Sequence, residues 1–424
     1  MVGGIVFVFP FGFGEGNVRF SDAVAIFSGS LALLVALTRP ELTGIRLTFP
    51  LIFLFLFLAY EIISPLIGVV VWADQAYASS TFRALVYWVP VALVALLLPR
   101  TVERVEIENK VWWGLVIAII LNAAIACVEY SVYQGWLSAD LNPRRLMDSW
   151  AVDAPYFYNR IWSAGTFVNS TQLASFSFIA LSFFSGRALR NVGSSSLNWI
   201  FLVIAFVLIV LTTSRVAMAA TIVVIVFVLV RKTRSVLSAA KLSLLPGLSL
   251  MGVWIVTQVE LEIMDRYARL LGGGLSEDFS WSKRVNELWS DSLAYGAEVG
   301  HPLFVNPSYL VGTIDSGYIT YYLQGGVVGV GLALMLPLSL FFSGLYLAGS
   351  KATRGWVADL SCFLPIYVLL AMVVTNPLRN PVVIAAMVIL IMAGAKVPRS
   401  VPRQVKINRP PASMQAQPTR KRNA

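Results

Sequence analysis

The chain has 424 residues, of which 58% are hydrophobic and only 13% charged, a balance that excludes an ordinary soluble domain. Its formal charge of +10 does not suggest a nucleic-acid partner, because the cations are scattered among the short segments between apolar runs. Many of those runs approach or exceed the ~18 residues that cross a bilayer, and the alternating ten-residue segments of a membrane barrel are absent. The expected fold class is therefore all-α: a polytopic helical integral membrane protein.

About twelve transmembrane helices are expected, at 2–13, 23–38, 47–70, 84–98, 111–133, 165–185, 197–213, 216–230, 242–258, 317–348, 358–374 and 381–395. The first run is apolar but has no basic leader, so it reads as a short span rather than a cleaved signal. With the N-terminus inside, the inner connections hold Arg39, Arg46, Arg100, Arg104, Lys110, Arg187, Arg190, Arg231, Lys232, Arg234, Lys241, Lys351 and Arg354. That is the asymmetry of the positive-inside rule, and it turns the net charge into a topology signal. Residues 1–395 form one membrane domain. The tail at 396–424 carries eight Lys/Arg and no acid, and is expected to be disordered, cytoplasmic and in contact with anionic lipid headgroups. Cys127 and Cys362 fall within apolar runs and read as packing residues rather than a disulfide or metal site.

Two outer segments are long. The first, at 134–164, mixes Asp140, Arg144, Arg145, Asp148, Asp153 and Arg160 with Trp and Tyr. The second, at 259–316, contains two amphipathic stretches. At 259–271, Leu261, Met264, Tyr267, Ala268 and Leu271 recur at helical spacing before three glycines. At 281–293, Val285, Leu288, Trp289 and Leu293 share a face opposite Arg284, Glu287 and Asp291. Both could lie on the outer membrane surface or cap the bundle.

The polar residues that could carry chemistry gather at the outer side. Arg215 follows Ser214 at a hairpin with almost no loop; it is either a headgroup anchor or a cation facing a polar cavity. Arg284 could pair with Glu287 three residues on. His301, the only histidine, could act as a base or hold a turn. Asp315 heads Asp-Ser-Gly-Tyr directly before a span, where a helix N-cap is the plainer role. Gly325, Gly326, Gly329 and Gly331 lie inside that span and read as close helix packing, not a dinucleotide fingerprint. Glu61 and Glu129 are carboxylates within spans, candidates for a proton path unless they reach water. The outer segments hold no Asp-x-Asp and no His/Cys cluster, so neither a metal site nor a cofactor is expected.

Taken in order, several pieces between Gly165 and Leu347 resemble the O-antigen ligase/polymerase family of bacterial envelope glycan assembly. Gly165-Thr166-Phe167-Val168-Asn169 is similar to its Gly-Thr-Phe-x-Asn, and Ser214-Arg215 to its Ser-Arg at a tight outer hairpin. Arg284 is similar to its arginine a few residues before a tryptophan, here Trp289. His301-Pro302-Leu303 is similar to its Pro-Leu, although Asn306-Pro307 departs from the glycines that follow. Asp315-Ser316-Gly317-Tyr318, then Leu323-Gln324-Gly325-Gly326 and Gly329, resembles its closing motif. Ligases of that family carry a histidine where this chain has Asp315, so the resemblance points to a repeat-unit polymerase ahead of a ligase.

The resemblance implies a membrane glycosyltransferase of the bacterial inner membrane, termini cytoplasmic and large loop periplasmic or extracellular. Its donor is a polyprenyl-diphosphate-linked oligosaccharide, polymerised into a surface polysaccharide by metal-independent inverting transfer. Arg215 and Arg284 would hold the diphosphate, since two arginines neutralise a leaving diphosphate through bidentate hydrogen bonds. Asp315 would serve the acceptor hydroxyl as base. His301, Asn169, Tyr318 and Arg160 are the weaker substrate-binding candidates. A chain-length regulator and a flippase are the protein partners it implies. The alternatives are a ligase acting on lipid A core or protein, and a flippase of lipid-linked sugars. A flippase would show inverted repeats and interrupted helices.

Overall fold

The structure, a computed structural model, describes residues 20–38, 48–72, 89, 90, 93, 104–141, 165–167, 170–190, 192–212, 214–232, 287, 289–299, 316–349 and 355–394. Among them the protein is all-helical, without a strand. The helices are α1 (Phe20–Thr38), α2 (Phe49–Trp72), α3 (Arg104–Tyr133), α4 (Ser170–Leu189), α5 (Ser195–Leu211) and α6 (Arg215–Lys232). They continue with α7 (Ser290–Val299), α8 (Gly317–Gly349), α9 (Trp356–Ala371) and α10 (Pro381–Gly394), and a 3-10 turn at Pro377–Arg379 joins the last two. The expected spans at 2–13 and 242–258 lie outside the described residues, as do most of 84–98, the 259–271 stretch and the tail.

Two of these helices are long and apolar enough to cross a membrane, over Ile107–Tyr133 in α3 and Gly317–Ala348 in α8. In each, 44% of the apolar window is buried against protein. The rest faces outward with residues such as Ile117, Ile120, Val327, Val328 and Phe342 exposed. α9 is different. Trp356, Val357, Leu360, Cys362, Phe363, Leu364, Tyr367 and Val368 are all buried, because α4, α6, α8 and α10 pack round it. A helix apolar on every side belongs at the centre of a bundle. α8 approaches it closely at Gly344, where an added Cβ would lie 2.8 Å from the Ser361 carbonyl carbon and 2.9 Å from Cys362 N and Sγ. Cys362 is thus a packing residue at that crossing. Cys127, expected to be one too, is exposed on α3, and neither cysteine forms a disulfide.

Side-chain ties define the two ends of the bundle. At one end Arg187 of α4 pairs with Glu108 of α3, and Arg190 pairs with Asp359 of α9 at 3.5 Å. Trp112 Nε1 donates to Asn198 Oδ1 (3.0 Å), and Asn198 Nδ2 to the Val192 carbonyl (2.9 Å), fixing the start of α5 there. At the other end the first turn of α8 docks on the last turn of α9. The Gly317 N–H donates to the Met372 and Thr375 carbonyls at 2.8 and 2.9 Å. A Cβ on Gly317 would lie 2.9 Å from the Thr375 oxygen, so this approach requires glycine. α10 is tied in beside it: Asn380 Nδ2 donates to Ser175 Oγ (2.9 Å), which also meets the Tyr367 hydroxyl at 2.7 Å. Ser175 Oγ gives its own proton to the Thr171 carbonyl (2.9 Å), so Tyr367 is the donor in that contact.

α7 continues past the end of the 281–293 pattern, of which 281–286 and 288 lie outside the described residues. It runs to Val299, with Ser292 buried and its flank packed on α8.

Candidate functional site

The end of the bundle where α8 docks on α9 gathers the described parts of the motifs. Gly165 has φ +59°, a conformation that favours glycine, and a Cβ there would lie 2.2 Å from Asn122 Oδ1. Its N–H donates to Glu129 Oε2 (3.2 Å), and the Thr166 N–H and hydroxyl both donate to Asn122 Oδ1 (2.8 and 3.1 Å). The Gly-Thr-Phe turn is therefore seated on two polar side chains of α3. Glu129, expected as a proton-path candidate, has an anchoring role here.

Arg215 is the first residue of α6 and is half-buried. The hairpin before it is closed by its hydroxyls. Thr212 Oγ donates to the Ile209 carbonyl (2.7 Å) and accepts the Ser214 N–H (3.3 Å), while Ser214 Oγ accepts the Ala217 N–H (3.4 Å) and caps α6. α5 starts at the far end of the bundle, and its 17 residues rise about 25 Å. The hairpin thus returns Arg215 to the end where α8 begins.

At the start of α8, Ser316 Oγ accepts the Ile319 N–H (3.5 Å) and donates to the Met372 carbonyl (3.2 Å). The capping role considered for Asp315 falls to Ser316, and Asp315 itself lies outside the described residues. Tyr318 is half-buried, and its hydroxyl donates to the Leu369 carbonyl (2.8 Å). Tyr321, one turn on, is fully buried against Phe57. Of the remaining candidates, Arg284, His301, Asn169 and Arg160 also lie outside the described residues. Glu287, the proposed partner of Arg284, is exposed. The structure thus brings Arg215 and Tyr318 to one end of the bundle, each on a helix packed against α9.

A cluster centred on Arg379, a residue the sequence reading did not single out, lies beside them. Arg379, in the 3-10 turn, pairs through Nε with Glu61 Oε2 of α2 at 3.4 Å. Its Nη2 donates to Gln324 Oε1 of α8 at 3.0 Å, and its guanidinium carbon lies 5.9 Å from the Tyr321 ring centroid. Tyr321 Oη donates to Asn376 Oδ1 (3.3 Å). The Glu61 side chain is only 7% exposed and that of Arg379 38%. Burial acts to lower the Arg379 pKa, but the Glu61 carboxyl beside it outweighs this and raises it, so the guanidinium stays charged. Sequence offered two signals for the pair: an acid inside a span, and an arginine held between Pro377 and Pro381 in a short connection.

Immediately beyond Gln324, α8 is broken. Gly325 (φ −155°, ψ 16°) and Gly326 (φ 57°, ψ −143°) leave the helical conformation. Tyr60 fills the notch: a Cβ on Gly325 or Gly329 would lie 2.5 or 2.8 Å from its hydroxyl. Two glycines of the series therefore serve close packing, as expected, while Gly326 serves the break. Among the described residues no group of His, Cys, Asp and Glu could hold a metal ion.

No protein-family model matches the chain, and a search of curated proteins finds no relative.

Proposed function

We propose that the protein is an integral inner-membrane glycosyltransferase that polymerises polyprenyl-diphosphate-linked oligosaccharide units at the outer surface. The reading rests on the ordered motifs between Gly165 and Leu347. The observation that carries it furthest is the convergence of three of them at one end of the bundle: the seated Gly165-Thr166 turn, Arg215 opening α6, and Ser316-Gly317-Tyr318 opening α8. The opposite end holds Arg187 and Arg190, which the positive-inside rule assigns to the cytoplasm. The outward apolar faces of α3 and α8 suit a lipid surround.

In the proposed reaction the acceptor hydroxyl attacks the anomeric carbon while the bond from that carbon to the diphosphate oxygen breaks. Attack from the face opposite the diphosphate inverts the configuration. Arg215 and Arg284 neutralise the charge that develops on the departing lipid diphosphate, and Asp315 takes the hydroxyl proton. Arg215→Ala, Arg284→Ala and Asp315→Ala, expressed at normal levels, are each expected to cut polymer formation by about 100-fold or more. Long polymer from all three variants would refute the residue assignment.

A second reading, a flippase of lipid-linked sugars, draws on the interruption of α8 beside the buried Glu61–Arg379 pair. Broken helices next to buried charge are a feature of transporters. Transbilayer movement of a fluorescent lipid-linked glycan into protein-bearing vesicles, without elongation, would favour it.

A further inference from the structure

Resting on the glycosyltransferase reading, we infer that the break in α8, with Tyr60, Glu61, Asn376 and Arg379, is a subsite for hydroxyl groups of a neutral sugar, part of the acceptor glycan.

Two independent observations point there. The first is the backbone: Gly325 and Gly326 abandon helical geometry inside a long apolar helix. In a bilayer, irregular backbone is tolerated where it is enclosed by protein or lines a polar cavity. The second is a set of polar atoms around the break. Tyr60 Oη, Glu61 Oε1 and Asn376 Nδ2 are buried and have no hydrogen-bond partner, and Tyr60 and Glu61 as residues are only 8% and 6% exposed. Burying such atoms unsatisfied is costly, and a ligand that donates and accepts would satisfy all three.

Their chemistry selects the ligand. Glu61 Oε1 accepts, Asn376 Nδ2 donates, and Tyr60 Oη does either. A phosphate would meet the Glu61 carboxyl, and an ammonium would meet the Arg379 guanidinium and the Asn376 amide. A hydroxyl both donates and accepts, and neighbouring hydroxyls on a sugar ring match this alternation. The Glu61–Arg379 pair holds acceptor and donor in fixed relation at no net charge. Arg379 is the open member of the cluster, at 38% side-chain exposure. The cluster also adjoins the proposed reaction centre. A Cβ on Gly317, two residues after Asp315, would lie 3.5 Å from the Asn376 Cα.

The test uses the full chain in nanodiscs free of glycoside detergents. Saturation-transfer NMR is run with neutral methyl hexopyranosides and their 2-acetamido counterparts, with inorganic pyrophosphate as competitor. At least one glycoside is expected to bind and to resist displacement by pyrophosphate. Tyr60→Phe is expected to weaken it about fivefold without lowering the unfolding temperature, since it removes only an unsatisfied hydroxyl. Glu61→Gln is expected to weaken it about tenfold or more. A purely packing hydroxyl would leave affinity unchanged in Tyr60→Phe. Wild-type affinity in both variants, displacement by pyrophosphate, or no glycoside binding would each overturn the inference. The parent reading fails separately: glycoside binding sensitive to these variants, in a protein that never elongates a glycan, would retain the subsite and remove the polymerase.

Discussion

Arg379 and Glu61 carry unequal parts of their ion pair. The carboxyl is enclosed and the guanidinium is partly open, at 7% and 38% side-chain exposure. Removing the arginine strands a buried acid, whereas neutralising the acid leaves an arginine that can turn outward. Arg379→Ala is therefore expected to cost about 3 kcal/mol, and Glu61→Gln about 1 kcal/mol or less. The double variant should recover part of the Arg379→Ala loss, because the stranded charge is gone. Thermal unfolding of the four proteins in one detergent reads the order directly; equal losses for the two single variants would contradict it. Glu61 stood out in sequence as an acid inside a span, but its partner did not, because what joins them is a contact between α2 and the α9–α10 connection, more than 300 positions apart in the chain.

At the scale of the element, hydropathy located the described helices and could not resolve their interiors. The runs at 111–133, 317–348 and 381–395 agree with α3, α8 and α10 to within a few residues at most ends. α3 begins earlier, at Arg104, since its first turns are charged and invisible to an apolar count. The glycines of α8 were legible as a group but not by role. Gly329 and Gly325 make room for Tyr60, Gly326 takes a positive φ, and Gly331 meets nothing; composition is the same for all four. Gly326→Ala, at φ 57° and ψ −143°, is expected to destabilise by about 1–3 kcal/mol. Gly331→Ala should be neutral or slightly stabilising, as usual for alanine within a helix. Gly344→Val would push a branched side chain into the backbone of α9 and should cost about 2 kcal/mol or more. Unfolding temperatures would follow the order Gly331→Ala, then the other two; a Gly331→Ala loss as large as Gly344→Val would undo the packing account.

For the whole molecule, the two bundle ends carry different side chains. One is laced by Arg187–Glu108 and Arg190–Asp359 and sits on the basic side of the chain. The other carries the seated Gly-Thr turn, Arg215, the docked start of α8 and the Glu61–Arg379 cluster. That separation was legible from the loops, because charge asymmetry and motif order both follow the alternation of spans. The finer site was not, since Arg284, His301 and Asp315 belong to the long 259–316 segment, where periodicity gave helices but no tertiary partner. The most direct test of the central proposal is elongation by the purified full-length protein of lipid-linked oligosaccharides extracted from its native host. The account predicts a ladder of longer glycans with release of polyprenyl diphosphate, abolished in Arg215→Ala. Unchanged substrate with the folded wild-type protein, or an undiminished ladder from Arg215→Ala, would contradict it.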